Sequence, residues 1–306
     1  ENNIEVVGIE LGSELSNRSY FTKGYTIDEY IIAAKKCSAK IKEKYPNLKT
    51  AIVVAPLGKR KGHRHNIWNE KLAKLHFYDA IIIHSYAKVT KGKDRYGQMI
   101  SEENEGKNKI EAFDIYKNRA IDYLVNKYPN EIKVYKGIFH KPIWVTEWNL
   151  QISKTTGNTF LQSLFVAHYL LELISNPDLS VIELTTYHNL GGRDFSGSIF
   201  RNNKEEIEIH STYYPMVMIG KIFESDIDRI ERKRFNDYFI YTCYDIKGIK
   251  KFIFSIDWED NILEFQTSSE LKKHIFDVAE YRSNDLFDKA NTEGMLESDT
   301  SRIIID

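Results

Sequence analysis

The sequence predicts an α/β chain whose mainly parallel sheet gives way to an antiparallel β domain. Three observations carry this reading: five short apolar runs that each end in polar residues, helical segments between them, and a region after about residue 225 in which strand follows strand. The 306 residues are 42% hydrophobic and 13% aromatic, enough to bury a large core in one or two globular domains. With 43 Lys and Arg against 44 Asp and Glu, the formal charge of −1 leaves no overall electrostatic footprint for nucleic acid or an anionic membrane. A local patch is still compatible with that balanced total. No apolar run reaches the roughly 18 residues a membrane-spanning helix needs, and the first twenty residues do not read as a signal peptide.

The elements follow in order. VVGIEL, residues 6–11, ends in Gly12, Ser13 and Glu14 and suits a buried parallel strand with polar groups at its carboxyl end. Residues 27–44 place Ile27, Tyr30, Ile31, Ala34 and Ile41 near helical spacing, behind Thr26 and an acidic first turn at Asp28 and Glu29, which predicts a capped helix. TAIVVAP at 50–56 is a second strand, followed by a basic loop and a helix over 69–75. DAIIIHSY at 79–86 is a third, then a long polar loop and an amphipathic helix over 111–127. PIWVTEW at 142–148 is a fourth, and an apolar helix over 159–174, too short to cross a membrane, leads to SVIELTTY at 180–187. A loop at 191–197 and a short helix over 214–223 close this part. FIYTCYD, KKFIFSID and ILEFQT then alternate apolar and polar residues between turns at Lys247-Gly248 and Asp260-Asn261, and SRIIID at 301–306 starts one more strand.

Cys37 and Cys243 are far apart and belong to no spaced cluster, so they are expected as two buried thiols, with neither a disulfide framework nor a zinc site. His63 and His65 form an H-x-H pair, but no acidic partner set follows it, so no metal and no other cofactor is expected.

Catalytic groups in a parallel α/β barrel sit where strands end at their carboxyl face. Those ends here read Glu10, Ser13 and Glu14; Pro56; His84 and Tyr86; Glu147, Trp148 and Asn149; Tyr187, His188 and Asn189. IELGSEL at 9–15, HSY at 84–86 and IWVTEWN at 143–149 together resemble the retaining (β/α)8-barrel glycoside hydrolases. In that family an acid/base Glu follows barrel strand four and a nucleophile Glu follows strand seven. The resemblance implies strands four to eight of such a barrel in residues 1–225, and a small antiparallel β-sandwich in residues 226–306. It also implies that Glu14 is the acid/base, Glu147 the nucleophile, and His84 and Tyr86 groups that line the subsite and bond the nucleophile.

Retention needs two carboxyl groups about 5 to 5.5 Å apart, one to attack the anomeric carbon and one to protonate the departing oxygen. Glu14 must carry that proton, so a drier place or a negative neighbour is expected for it. Sugar faces stack on rings, which makes Trp68, Tyr86, Trp148 and Tyr187 candidate subsite walls, with Asn149, His188 and Asn189 as hydroxyl partners. Glu10 reads as a structural carboxylate. The cationic loop GKRKGHRHNIW, residues 58–68, reads first as a solvated rim, and second as a site for acidic or sulfated polysaccharide.

Two departures from the family stand out. Ser13 occupies the place of its usual Asn, and His188 lies near the place of its strand-eight Trp. Five strands also cannot close an eight-stranded barrel, so the chain is expected to be the C-terminal piece of a longer enzyme, with an N-terminal half of the barrel as its partner. The leading expectation is a hydrolase of a polysaccharide or oligosaccharide, secreted or periplasmic. A catalytically impaired glycan-binding relative, or an interaction module working through the β domain, are the alternatives.

Overall fold

A computed structural model of the chain describes residues 5–90, 92–93, 99–100, 109–151, 153, 155–192, 197–203, 206–268, 276–282 and 285–287. The chain packs as two compact units. One comprises Glu1–Ser85, Pro129–Trp148 and Asp178–Tyr187, the other Tyr86–Tyr128, Asn149–Pro177 and His188–Asp306.

The first unit is built on a five-stranded sheet of β1 (Gly8–Leu11), β2 (Lys49–Val53), β3 (Ala80–Ala87), β4 (Ile143–Leu150) and β5 (Ile182–Tyr187). Strand order in space equals strand order in sequence, and β1–β2, β2–β3 and β4–β5 pair in parallel. Consecutive parallel strands joined by helices are the arrangement of a (β/α) barrel, and this sheet is a curled part of one. The curl is visible in contacts between strands that are not neighbours. The ring of Trp144 on β4 lies so close to Gly8 on β1 that a Cβ there would sit 2.1 Å from it. Lys49 of β2 pairs with Glu183 of β5, which also accepts from Trp144 Nε1 at 3.0 Å. Gly8 therefore has to be glycine for β1 to admit the indole.

Helix α1 (Ile27–Lys44) has the expected bounds, because Thr26 and Glu29 form a reciprocal capping box. It buries Tyr30, whose hydroxyl donates to Leu11 O at 2.9 Å and accepts from Val53 N at 2.7 Å, pinning the helix to β1 and β2. Cys37 is exposed on this helix and only Cys243 is buried, which corrects the expectation of two buried thiols. Helix α2 (Arg64–Ala73) starts five residues before the expected 69, because the His63 side chain caps its first turn by accepting from His65 N.

The amphipathic segment expected to end at Lys127 runs on. Helix α3 (Lys109–Asp122) passes through a π turn at Tyr123–Lys127 into α4 (Tyr128–Phe139). Pro129 lacks an N–H and would clash with the carbonyl four residues back in a regular helix. A wider π turn immediately before it removes that conflict.

In the second unit, α5 (Phe160–Ser175) is buried on all sides from Phe160 to Tyr169, as an apolar helix without a polar face must be. It packs against α6 (Tyr213–Phe223) and against an antiparallel meander of β6 (Ile227–Phe235), β7 (Tyr238–Asp245), β8 (Lys250–Asp257), β9 (Ile262–Ser268) and β10 (Phe276–Arg282). The hairpin turns use left-handed residues, Asn236, Gly248 and Asn261, where a short polar side chain or none tolerates positive φ. The strand expected at 301–306 lies outside the described residues.

Candidate active site

Three of the expected residues converge. Glu14 follows β1, His84 lies on β3 and Glu147 on β4, all in the first unit and at the carboxyl end of the sheet. His84 Nδ1 stands 3.1 Å from Glu14 Oε1 and 3.4 Å from Glu147 Oε2, so one imidazole is shared by both carboxylates. The three facing atoms lie within 4.8 Å of one another.

Local backbone sets each position. Glu14 adopts φ +48°, a left-handed conformation that costs a side-chain-bearing residue on the order of 1 kcal/mol. It follows Gly12 at φ +106°, and the turn closes through Asn17 N to Glu14 O at 2.9 Å. Asn17 Nδ2 also donates to Glu14 Oε2 at 2.6 Å, so this amide, which sequence reasoning passed over, orients the carboxylate. The signal was an Asn three residues downstream in a turn. The pairing of β4 with β5 shifts register between Val145 and Trp148, an irregularity at the very segment that carries Glu147.

The Glu14 side chain is 45% exposed and that of Glu147 29%, while His84 is 10% exposed. The drier setting expected for Glu14 is therefore not what the fold supplies, whereas the negative neighbour is present. His84 Nε2 is buried and has no hydrogen-bond partner among the described residues. Two carboxylates at this spacing repel by roughly 1 to 3 kcal/mol between water-like and protein-like dielectrics. The trio is also the group of described residues whose geometry could hold a metal ion, in place of the His63 and His65 pair weighed from sequence.

Ser13 is exposed beside Glu14. Trp148 is 1% exposed and meets Tyr187 edge to face, with ring centroids 5.0 Å apart, which corrects its expected place as a subsite wall: the indole is packed inward. Trp68 is a correction to the expected subsite walls. It is buried, stacks on Tyr30 with centroids 5.3 Å apart and donates to Val53 O at 3.1 Å, because α2 lays it on the sheet. Glu10 is exposed.

The remaining candidates belong to the second unit. Tyr86 and His188 are half-buried and meet edge to face at 6.0 Å. Asn149 is buried and fully engaged. Its Nδ2 donates to His188 O and Gly197 O, and its Oδ1 accepts from Leu150 N and Gln162 Nε2. That corrects its expected role as a hydroxyl partner: the amide braces the chain. Asn189 is half-buried, and its carbonyl accepts from Ile199 N at 3.1 Å.

No protein-family model matches the chain. No curated protein matches it either. Solved structures do. A family 51 α-L-arabinofuranosidase from Bifidobacterium longum superposes with a TM-score of 0.54 at 9% identity, over 88% of this chain and 59% of that one. A GH51 arabinofuranosidase from Xanthomonas axonopodis pv. citri gives a TM-score of 0.53 at 9% identity, over 84% of this chain and 51% of that one. The chain thus spans little more than half the length of these structures. At such identity the likeness is one of fold: a partial barrel with an antiparallel β domain.

Proposed function

We propose that this chain carries the catalytic pair of a retaining glycoside hydrolase, with Glu147 as nucleophile and Glu14 as acid/base. The observation that carries the reading is the approach of the two carboxylates to within 4.8 Å across His84. Retaining enzymes hold their carboxyl groups about 5 to 5.5 Å apart, and inverting ones about 6.5 to 9.5 Å, to leave room for water. The fold likeness to two arabinofuranosidases and the strand-end positions of both residues support the same reading.

In this mechanism Glu147 attacks the anomeric carbon while Glu14 gives its proton to the departing oxygen. Glu14 then takes a proton from the water that releases the sugar from Glu147. His84, bonded to Glu14 and facing Glu147, fixes their mutual orientation. A carbohydrate is the substrate, and polymeric substrates fit the proposed secreted or periplasmic address. In this reading three further strands between β5 and β1 would complete an eight-stranded barrel. We propose that they belong to the N-terminal half of a longer protein, with the catalytic domain ending near residue 225.

Hydrolysis of aryl glycosides, beginning with arabinofuranosides, tests the reading, with the first-formed anomer followed by NMR. A retained anomer, lost in Glu147→Ala, is expected. Turnover that survives that substitution, or an inverted first product, overturns it. A glycan-binding relative without turnover is the second reading, motivated by Ser13, and it predicts saccharide binding with no hydrolysis in any variant.

A further inference from the structure

The loop between β2 and α2 leaves the carboxyl end of the sheet next to the turn that carries Glu14. From Thr50 to Asn69 the sequence holds Lys59, Arg60, Lys61 and Arg64 and no acidic residue, in a chain whose charges nearly balance as a whole. Lys59, Arg60 and Lys61 are exposed, and no ion pair to any of them is formed among the described residues. Some lysines elsewhere on this unit do pair with carboxylates: Lys40 with Glu43, Lys42 with Asp79, Lys71 with Asp28. The first turn of α2 holds no acid either, so its partial positive charge adds to the loop's.

This cationic stretch is held in place. Asn66 accepts from Gly58 N and donates to Gly58 O and Arg60 O, and a Cβ at Gly58 would meet His63 at 2.7 Å. Arg64 donates to Ser16 O and stacks over Phe21 at 5.1 Å, which joins the loop to the turn after β1 that begins with Glu14. Burial, then the charges of Arg64 and His63, push the His65 imidazole below its ordinary value, so His65 adds little to the charge.

We propose that Lys59, Arg60 and Lys61 form an anion-binding rim of the Glu14 and Glu147 site, which selects saccharides bearing carboxylate or sulfate groups. The inference rests on the glycosidase reading and names its substrate class. Cations on a loop anchored beside a sugar site attract a negatively charged chain over a Debye length of about 10 Å and favour it over its neutral counterpart.

Calorimetric titration of the full chain with an oligogalacturonate, a sulfated galactan oligosaccharide and a neutral galactan oligosaccharide of equal length tests the rim. At low salt at least one anionic ligand should bind about tenfold or more tightly than the neutral one. That advantage should disappear in Lys59→Ser/Arg60→Ser/Lys61→Ser, and shrink severalfold at 200 mM salt. Which anionic ligand binds separates carboxylate from sulfate recognition. Equal binding of anionic and neutral ligands, no binding of any, or anionic binding unchanged in the triple variant overturns the rim. A duplex DNA that binds as tightly as the saccharides, and is lost in the same variant, makes the loop a general polyanion patch and also overturns it. The readout needs no turnover, so its failure leaves the Glu14 and Glu147 reading standing, while loss of that reading leaves rim binding measurable.

Discussion

Among the described residues each unit holds a Glu–His cluster, Glu14, His84 and Glu147 in one and His168 and Glu172 in the other, and the two are opposites. In the first unit two carboxylates, Glu14 and Glu147, face the single imidazole of His84 and remain partly exposed. In the second a single carboxylate, Glu172 on α5, is buried and surrounded. It accepts from Tyr241 Oη at 2.8 Å, from Asn176 Nδ2 at 2.9 Å and from Arg232, and stands 3.8 Å from His168 Nε2. Trp258 Nε1 donates to His168 Nδ1 at 3.0 Å. That nitrogen is therefore an acceptor, the imidazole is neutral, and its proton sits on Nε2 facing Glu172. In the buried cluster the Glu172 carboxylate is satisfied and fastens the meander to α5, while His168 Nε2 makes no hydrogen bond among the described residues. The open one stores repulsion and a left-handed Glu14. Like charges and a strained backbone gathered at one partly exposed point mark groups kept for chemistry.

The sharpest way to break this comparison is to remove each carboxylate. Glu172→Ala strands the partners of a buried charge and should cost about 3 to 5 kcal/mol, read as a fall in the urea midpoint. Glu147→Gln should leave stability unchanged or raise it by up to about 1 kcal/mol, since one of two like charges is gone. Turnover should fall at least the roughly 10² to 10⁴-fold typical of losing a catalytic carboxyl group. Equal destabilisation by both substitutions would erase the distinction.

Acid separates the clusters next. Burial alone would raise Glu172, but His168, Arg232 and Tyr241 overcome it and hold the carboxyl at about 2, below its ordinary 4.5. Burial holds the His168 imidazole below its ordinary 6.5. Both folded values are depressed, so their contribution is complete above pH 6.5. It declines as the unfolded imidazole takes up its proton, and is lost between about pH 4.5 and 2 as Glu172 protonates, for a total of a few kcal/mol. Thermal melts from pH 7 to 3 should show this decline, and a Glu172→Gln variant should flatten its lower part. The smallest effect is expected at Asn17. Asn17→Ala should change stability by within about 0.5 kcal/mol, while any Glu14-dependent turnover drops severalfold.

Sequence alone revealed the five strands of the parallel sheet, because each is an apolar run with polar residues at its end, and α1, because Thr26 and Glu29 announce its start, but it named neither β6 nor β10, whose charged residues interrupt the apolar pattern. It stopped the helical run at Lys127 and missed α4, since the π turn that accommodates Pro129 leaves no mark in the residue pattern. At the site, Glu14, His84 and Glu147 were legible as strand-end groups. That one imidazole bridges both carboxylates was not, because the contact depends on the left-handed turn at Glu14. Trp68 and Asn149 show the reverse limit. An aromatic or amide residue near a strand end reads as a sugar contact until packing turns it inward. The His168, Glu172 and Trp258 cluster could not be anticipated, since Trp258 lies on a distant hairpin.

Covalent trapping tests the central claim most directly. The chain is incubated with activated 2-deoxy-2-fluoro glycosides, arabinofuranosides among them, and the labelled peptide is located by mass spectrometry. The account predicts one added glycosyl group, on Glu147, abolished in Glu147→Gln and still formed but released more slowly in Glu14→Ala. A label on another residue, or one that persists in Glu147→Gln, would contradict it.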